Sequence, residues 1–333
     1  MSKSVTFLTL CALLFALCVS AEAQQSGKIA RIGYLEQGTG AGSTGSPTIA
    51  SRLTRIDAFR QGLRELGYVE GQNIIIEVRA AEGKLDRVPE LVAELVRLNP
   101  DVVVTAGRGA QVAVQLTKTI PIVALGTSDI VARGLVASLA HPGGNVTGLS
   151  SVSPQLIGKR LELLKDTFPK ITRVAYLFDL AGPSHELNEL QLSAGPLRVT
   201  LQPRGVREPN EFAQAFSDIV RDRSEALLTA TGGLNNGNRK VIVELAAKTR
   251  LPAMYPVSIY VDEGGLMSYG IILSSMYRRA AWYVDKILKG TKPADLPVEQ
   301  PTKFEFVINL KTARALDLVI PPAVLMEADR VIK

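Results

Sequence analysis

Residues 28–35 read Lys-Ile-Ala-Arg-Ile-Gly-Tyr-Leu, and the phrase returns at 170–177 as Lys-Ile-Thr-Arg-Val-Ala-Tyr-Leu, with five of eight positions identical. The stretches downstream of the two copies repeat as well. Residues 95–107 (LVRLNPDVVVTAG) and 219–232 (IVRDRSEALLTATG) both run from a helix end through an apolar strand into a small-residue turn. Ile120-Pro121-Ile122-Val123 is then matched by Leu251-Pro252-Ala253-Met254. A chain written twice in this way is constrained to fold as two similar α/β lobes, and clefts between lobes are where small ligands bind.

Local patterns set the type of lobe. Residues 29–35 and 101–105 are near-continuous apolar runs, as in strands buried on both faces of a parallel sheet. Between them Ile56, Phe59, Leu63 and Leu66 recur at helical spacing. Gly67 stands where a left-handed helix cap is needed, and 73–79 reads as the second strand. Asp86 is expected to cap the next helix, with Pro89 in its first turn and Leu91, Leu95 and Leu98 inward. A helix over 108–118 and a strand over 120–124 come next. After the turn Pro142-Gly143-Gly144-Asn145, residues 146–149 are expected to cross into the second lobe. There strands at 172–178, 197–202, 226–229, near 253 and at 266–269 alternate with helices, the longest at 274–290. A late strand at 304–309 precedes two short helices. The alternation predicts two Rossmann-like, doubly wound parallel-sheet lobes joined by a multi-strand hinge. Residues 24–147 with 271–300 are expected to form the N-terminal lobe, and 148–270 with 301–333 the C-terminal lobe.

The first residues predict export. Lys3, the apolar run from Val5 to Val19 and Ala21-Glu22-Ala23 form a secretory signal cleaved after Ala23, which places the protein in the periplasm. The run is too short for a comfortable membrane span. A lipid anchor is the rival, but Cys11 and Cys18 follow Leu10 and Leu17, where lipid attachment needs a small residue. Both cysteines lie in the signal, so the exported chain of about 310 residues must rely on ordinary cores, and it is long enough for two. It has no thiolate for a metal, and only His141 and His185 could offer imidazole. The net charge of +6 comes without any Lys/Arg run. Acids and bases alternate on helix faces (Arg60, Arg64, Glu65; Glu90, Glu94, Arg97), which argues against a nucleic-acid partner.

Chemistry-bearing motifs point to binding rather than catalysis. Gly40-Ala41-Gly42-Ser43-Thr44-Gly45 spells G-x-G-x-x-G, but it starts well past its strand, and the next strand ends at Arg79 where a dinucleotide site needs an acid. No cofactor is expected. There is no G-x-S-x-G elbow and no H-E-x-x-H helix, and neither histidine has a sequence-local nucleophile, so no enzyme is expected. Open α/β sheets bind ligands at the carboxyl ends of their strands. The candidates there are Gln37, then Gly107 and Arg108, where free N–H groups at a helix start suit a carboxylate. Thr127 and Asp129 come after the fourth strand, Asp129 suiting an ammonium. Asp179, Thr231 and Tyr255 hold the corresponding ends of the second lobe, Tyr255 as an aromatic wall. The same residue types also serve as ordinary caps and turns.

Five long blocks carry a family likeness: 59–72 (FRQGLRELGYVEGQ), 135–150 (LVASLAHPGGNVTGLS), 158–165 (GKRLELLK), 264–270 (GGLMSYG) and 278–310. Over nearly the whole exported chain the sequence resembles the periplasmic solute-binding proteins of ABC importers with the type I two-lobe fold. The resemblance implies capture of a small solute and delivery to an ABC permease in the inner membrane, and some such proteins bind aromatic amino acids. The chain is expected to act as a monomer. It departs from the family pattern around the pocket. Asp129-Ile130 stands for Asp-Pro, Asp179-Leu180 for Asn-Pro, and Ile271-Ile272-Leu273 for a turn that usually carries Pro and Asn; 232–238 is unusually rich in Gly and Asn. A sensor module for a signalling receptor and an exported hydrolase are the alternatives.

Overall fold

The computed structural model describes residues 29–37, 55–82, 84–127, 130–151, 153–180 and 185–333, with only the backbone of 153–155 and 185. The signal segment, the glycine motif at 40–45 and Asp129 lie outside the described residues.

The first sheet is assembled from β1 (Ala30–Glu36), β2 (Ile74–Ala80), β3 (Val102–Ala106), β4 (Ile122–Thr127) and β5 (Val146–Ser150). Helices α1 (Arg55–Glu65), α2 (Val88–Arg97) and α3 (Gly107–Leu116) connect them. The strand order is β2-β1-β3-β4-β5, parallel throughout. Val102, Val103 and Val104 are wholly buried because helices cover both faces. Val102 and Val104 pack with Ile32, Tyr34, Phe59 and Leu63 on one side. Val103 packs with Leu35, Val92, Leu95 and Ala110 on the other.

The second lobe runs through α4 (Ser153–Thr167), β6 (Arg173–Asp179), α5 (His185–Ala194), β7 (Thr200–Val206), α6 (Phe212–Arg221) and β8 (Ala226–Thr229). It continues with α7 (Gly233–Gly237), α8 (Arg239–Lys248), β9 (Ala253–Tyr255), α9 (Ile259–Asp262) and β10 (Met267–Ile271). The long α10 (Leu273–Leu288) then returns to the first lobe, and β11 (Phe304–Asn309), α11 (Leu310–Ala315), α12 (Pro322–Glu327) and β12 (Arg330–Ile332) complete the second. Its order is β12-β11-β10-β9-β8-β6-β7, with only β10–β11 antiparallel.

The written repeat is a structural repeat. The order β2-β1-β3-β4 recurs as β7-β6-β8-β9. Each copy also fixes the start of its central strands with an acid. The Arg31 amide donates to Asp101 Oδ2 at 2.8 Å, while the Asp101 amide donates to the Arg31 carbonyl. In the second copy the amides of Thr172 and Arg173 donate to Glu225 Oε2 at 2.6 and 3.0 Å, and the Glu225 amide returns to the Arg173 carbonyl. Register between neighbouring strands is thus set before the sheet is entered.

Three expectations are corrected. Residues 146–149 do not cross between lobes; they form β5, bonded in register to β4, and the chain leaves the first sheet after Ser150. Asp86 does not cap α2, because a 3-10 turn over Leu85–Arg87 precedes it and Arg87 holds the cap position. The strand expected at 197–202 starts at Thr200, since Arg198 takes a positive φ and the Val199 amide closes a turn on Ala194. Gly67 does end α1 with φ +87, and the Tyr68 amide closes back on the Leu63 carbonyl at 3.0 Å.

The lobes are joined by three passes of chain. After β5 the Ser150 amide bonds the Glu299 carbonyl at 2.9 Å, and the Glu299 amide bonds that of Gly148. Ile271 and Leu273, on the second pass, pack against the cores of both lobes. The third pass is tied to α10 by Arg279, which pairs with Glu299 at 2.6 Å and lies over the Trp282 ring at 3.9 Å.

The strand-start acid gives a pH prediction. Accepting the Thr172 amide, and next the Arg173 amide, holds the Glu225 carboxyl below the usual carboxylate range. A carboxyl held low in the fold contributes stability that is present above its unfolded value, near 4.5, and is lost as pH falls through the folded value. Glu225→Gln is therefore expected to lower stability to urea at about pH 7, with the gap from the parent closing below about pH 4. A gap that does not change with pH would contradict this role.

Candidate functional site

The carboxyl ends of the two sheets converge on a cleft. Leu85, just after β2, lies against Gly233, at the start of the helix that follows β8. Arg55 of the first lobe lies within electrostatic reach of Tyr260 of the second.

In the first lobe the sequence candidates gather at adjacent strand ends. Gln37, half-buried after β1, donates through Nε2 to the Ala106 carbonyl and, at 3.4 Å, to Thr105 Oγ1. Gly107 begins α3 with φ +43, and Arg108 stands exposed in its first turn. The helix start is pressed hard onto the sheet, because a Cβ on Gly109 would come within 2.7 Å of Gln37 Nε2. Thr127 ends β4 and is in register with Ser150 at the end of β5; both are buried, and neither side-chain hydroxyl has a hydrogen-bond partner among the described residues.

In the second lobe Asp179 ends β6, and the Thr231 amide donates to Glu186 Oε2 at 3.2 Å. Gly232 sits next to Asp179, its Cβ position 3.9 Å from the aspartate Cβ. Tyr255 is not a cleft wall. It is 1 % exposed, belongs to a core with Phe212, Phe216 and Ile242, and stacks on Tyr260 with ring centroids 4.8 Å apart. Its strand is bonded on both sides, and its ring falls on the face covered by α6 and α8.

Several polar groups of the cleft region have no local signal in the sequence. Arg55 pairs with Glu36 at 3.1 Å, and the Tyr34 hydroxyl donates to the same carboxylate at 3.4 Å. Burial foremost, with Tyr277 and the Glu36 charge, pushes the Tyr34 hydroxyl far up, and burial pushes Tyr277 up to about 12 against the opposing pull of Arg55. These phenols stay neutral donors at any ordinary pH. Across the cleft Arg160, only 2 % exposed, donates through Nε to the Tyr269 carbonyl at 2.8 Å and through Nη2 to that of Pro256 at 3.4 Å. Burial pulls its guanidinium down, and the charge of buried Glu186 opposes that. Glu186 accepts the Tyr176 hydroxyl at 2.9 Å, and the Tyr260 hydroxyl donates to Asn236 Oδ1 at 3.0 Å. Arg160 alone leaves a trace: it occupies a core position of a helix whose neighbours Ile157, Leu161 and Leu164 are buried. Glu36 and Arg55 are brought together by the fold across a segment of sequence with no spacing rule.

Such a site can grip polar groups, and among the described residues it carries no arrangement for covalent chemistry. His141 is exposed, its amide held by Ser138 Oγ in a surface turn. Two like lobes, strand ends facing a cleft and donors left open there define a two-lobe binding protein.

Similarity to known proteins agrees with that class. The chain belongs to the ABC transporter substrate binding protein family, which it matches over residues 49–332; it is a substrate-binding protein and not an enzyme. It is similar to the tyrosine-binding protein of Clostridioides difficile, with 27 % identity over 263 residues covering 78 % of this chain and 75 % of that one. Among solved structures it is similar to a conserved domain protein from Vibrio cholerae, at 27 % identity and TM-score 0.80, covering 91 % of this chain and all of that one. An ABC domain from Streptococcus pneumoniae in complex with L-Trp is similar at 26 % identity and TM-score 0.80, covering 92 % of this chain and all of that one.

The buried charges give a second prediction. Glu186→Gln keeps the size of the side chain but removes the negative charge that offsets Arg160. A loss of about 1–3 kcal/mol in urea unfolding is expected. Parental stability would show that Arg160 needs no such compensation.

Proposed function

We propose that this chain, once exported to the periplasm, closes its lobes on a small zwitterionic solute of the amino-acid class and delivers it to an ABC permease in the membrane. The observation that carries this is the pair of buried hydroxyls of Thr127 and Ser150 at neighbouring strand ends, both without a partner among the described residues. A buried hydroxyl without a partner is costly, and native structures rarely leave one so. A ligand carboxylate lying between these hydroxyls and the first amides of α3 would satisfy them, and Arg108 would add positive charge. Carboxylates suited to an ammonium are Glu36 and, from the sequence, Asp129. The tyrosine-binding relative and the neighbour solved with L-Trp support an amino-acid cargo.

Closure makes the binding useful. A solute that contacts both lobes binds the closed form better than the open one and shifts the population toward it, and that shape is what a permease can recognise. In this proposal the lobes divide as 24–150 with 271–300 and 151–270 with 301–333, the three passes acting as the hinge.

Thermal-shift screening of the amino acids, followed by calorimetry on those that raise the melting temperature, tests the cargo class. Thr127→Val is expected to weaken the best ligand about tenfold or more, the worth of one hydrogen bond to a charged group, with little change in the melting temperature of the unliganded protein. If no amino acid stabilises the protein, the cargo belongs to another class.

A further inference from the structure

Away from the hinge, the lobes meet at Leu85. This half-buried leucine opens the 3-10 turn that comes after β2. It packs against the core of its own lobe and against that of the second lobe, whose buried members include Leu234. Its two Cδ atoms lie 3.5 and 3.6 Å from the position a Cβ on Gly233 would take. The place of this contact matters. In the order β2-β1-β3-β4-β5, the edge that carries Leu85 is opposite the edge from which the chain crosses to the second lobe. Four interstrand spacings put the two edges about 19 Å apart. A contact at the far edge has the longest lever arm against the hinge, so a small opening rotation separates it first and exposes its apolar surface to water.

We infer that Leu85 is a latch: it shuts the mouth of the cleft farthest from the hinge and biases the two lobes toward the closed form. The leucine is a positioning residue. It acts through the fraction of molecules that are closed, and apparent affinity scales with that fraction. Its consequence for affinity rests on the proposed solute capture, but the latch itself is measurable without any solute.

Small-angle X-ray scattering on the purified, unliganded protein is the test, with thermal unfolding alongside. Leu85→Asp is expected to raise the radius of gyration over the parent, and Leu85→Ala to raise it less, both with a cooperative melt retained. Should Leu85→Asp fail to fold, Gly233→Leu carries the same test from the opposite face, where the longer side chain would wedge the mouth open and raise the radius. A parental radius in all folded variants, or a lowered melting temperature with no change in radius, overturns the latch. Calorimetry with L-tyrosine and L-tryptophan as probes then separates the two proposals. Binding by the parent with about threefold to tenfold weakening in Leu85→Ala supports the latch as an affinity-setting device. Equal affinity in parent and variant overturns that role. If neither probe binds the parent, the failure falls on the proposed cargo class, and the scattering result still decides the latch.

Discussion

The packing of α10 onto α1 is the contact on which the rest depends. Helix α10 follows β10 of the second lobe, yet it buries Ala280, Ala281, Tyr283 and Val284 in the core of the first. The approach is close enough that a Cβ on Gly62 of α1 would fall 2.5 Å from the Arg278 carbonyl, so only glycine fits that crossing. Because the first lobe cannot complete its core without this late segment, the chain must pass between the lobes three times. Three side-by-side passes resist twisting far more than a single tether would, and leave bending as the soft motion. In the proposed closure, a hinge that only bends would bring the same two surfaces together each time, which is what a selective cleft requires.

The polar groups around that cleft are arranged to keep their charges fixed. Glu36 is held by Arg55 and the Tyr34 hydroxyl, Glu186 by Tyr176 and the Thr231 amide. Arg160 reaches from the second lobe to the carbonyl of Tyr269, on the strand that leads into the hinge. The same guanidinium feels the charge of Glu186, which holds the chain just past β8 at the cleft. A buried charge tied to carbonyl acceptors on separate segments rigidifies the wall it stands in. In the proposed capture, the solute would therefore meet a preformed surface on each lobe, and its binding free energy would go into closing the lobes instead of ordering the walls.

Much of this is legible in the residues. The written repeat foretells the repeated strand order, because equivalent register devices, Asp101 and Glu225, recur at the same point of each copy. Apolar runs of helical or continuous spacing locate nearly every strand and helix. The errors fall where a short element has no periodicity to show. β12 is three half-buried residues at an edge, and β5 reads as a crossover because Gly148 and a short run of apolar residues look the same in both roles. For the site, position relative to strand ends singles out Gln37, Gly107, Arg108, Thr127, Asp179 and Thr231 as residues at the carboxyl edge of the sheets. It fails for Tyr255, since alternation along a strand buried on both faces does not reveal which neighbours a ring will meet. The Glu36–Arg55 ion pair and the charge of Glu186 acting on Arg160 stay hidden because long-range electrostatic interaction leaves no spacing in the sequence.

In the proposed capture, one solute touches both lobes at once. Hydrogen–deuterium exchange of the protein, with and without the amino acid that most raises its melting temperature, tests it directly. Simultaneous slowing of exchange is expected at the start of α3 and around Thr127 in the first lobe and at 229–236 in the second, with the outer helices unchanged. Slowing confined to one lobe, or spread evenly over both without a cleft pattern, would contradict it.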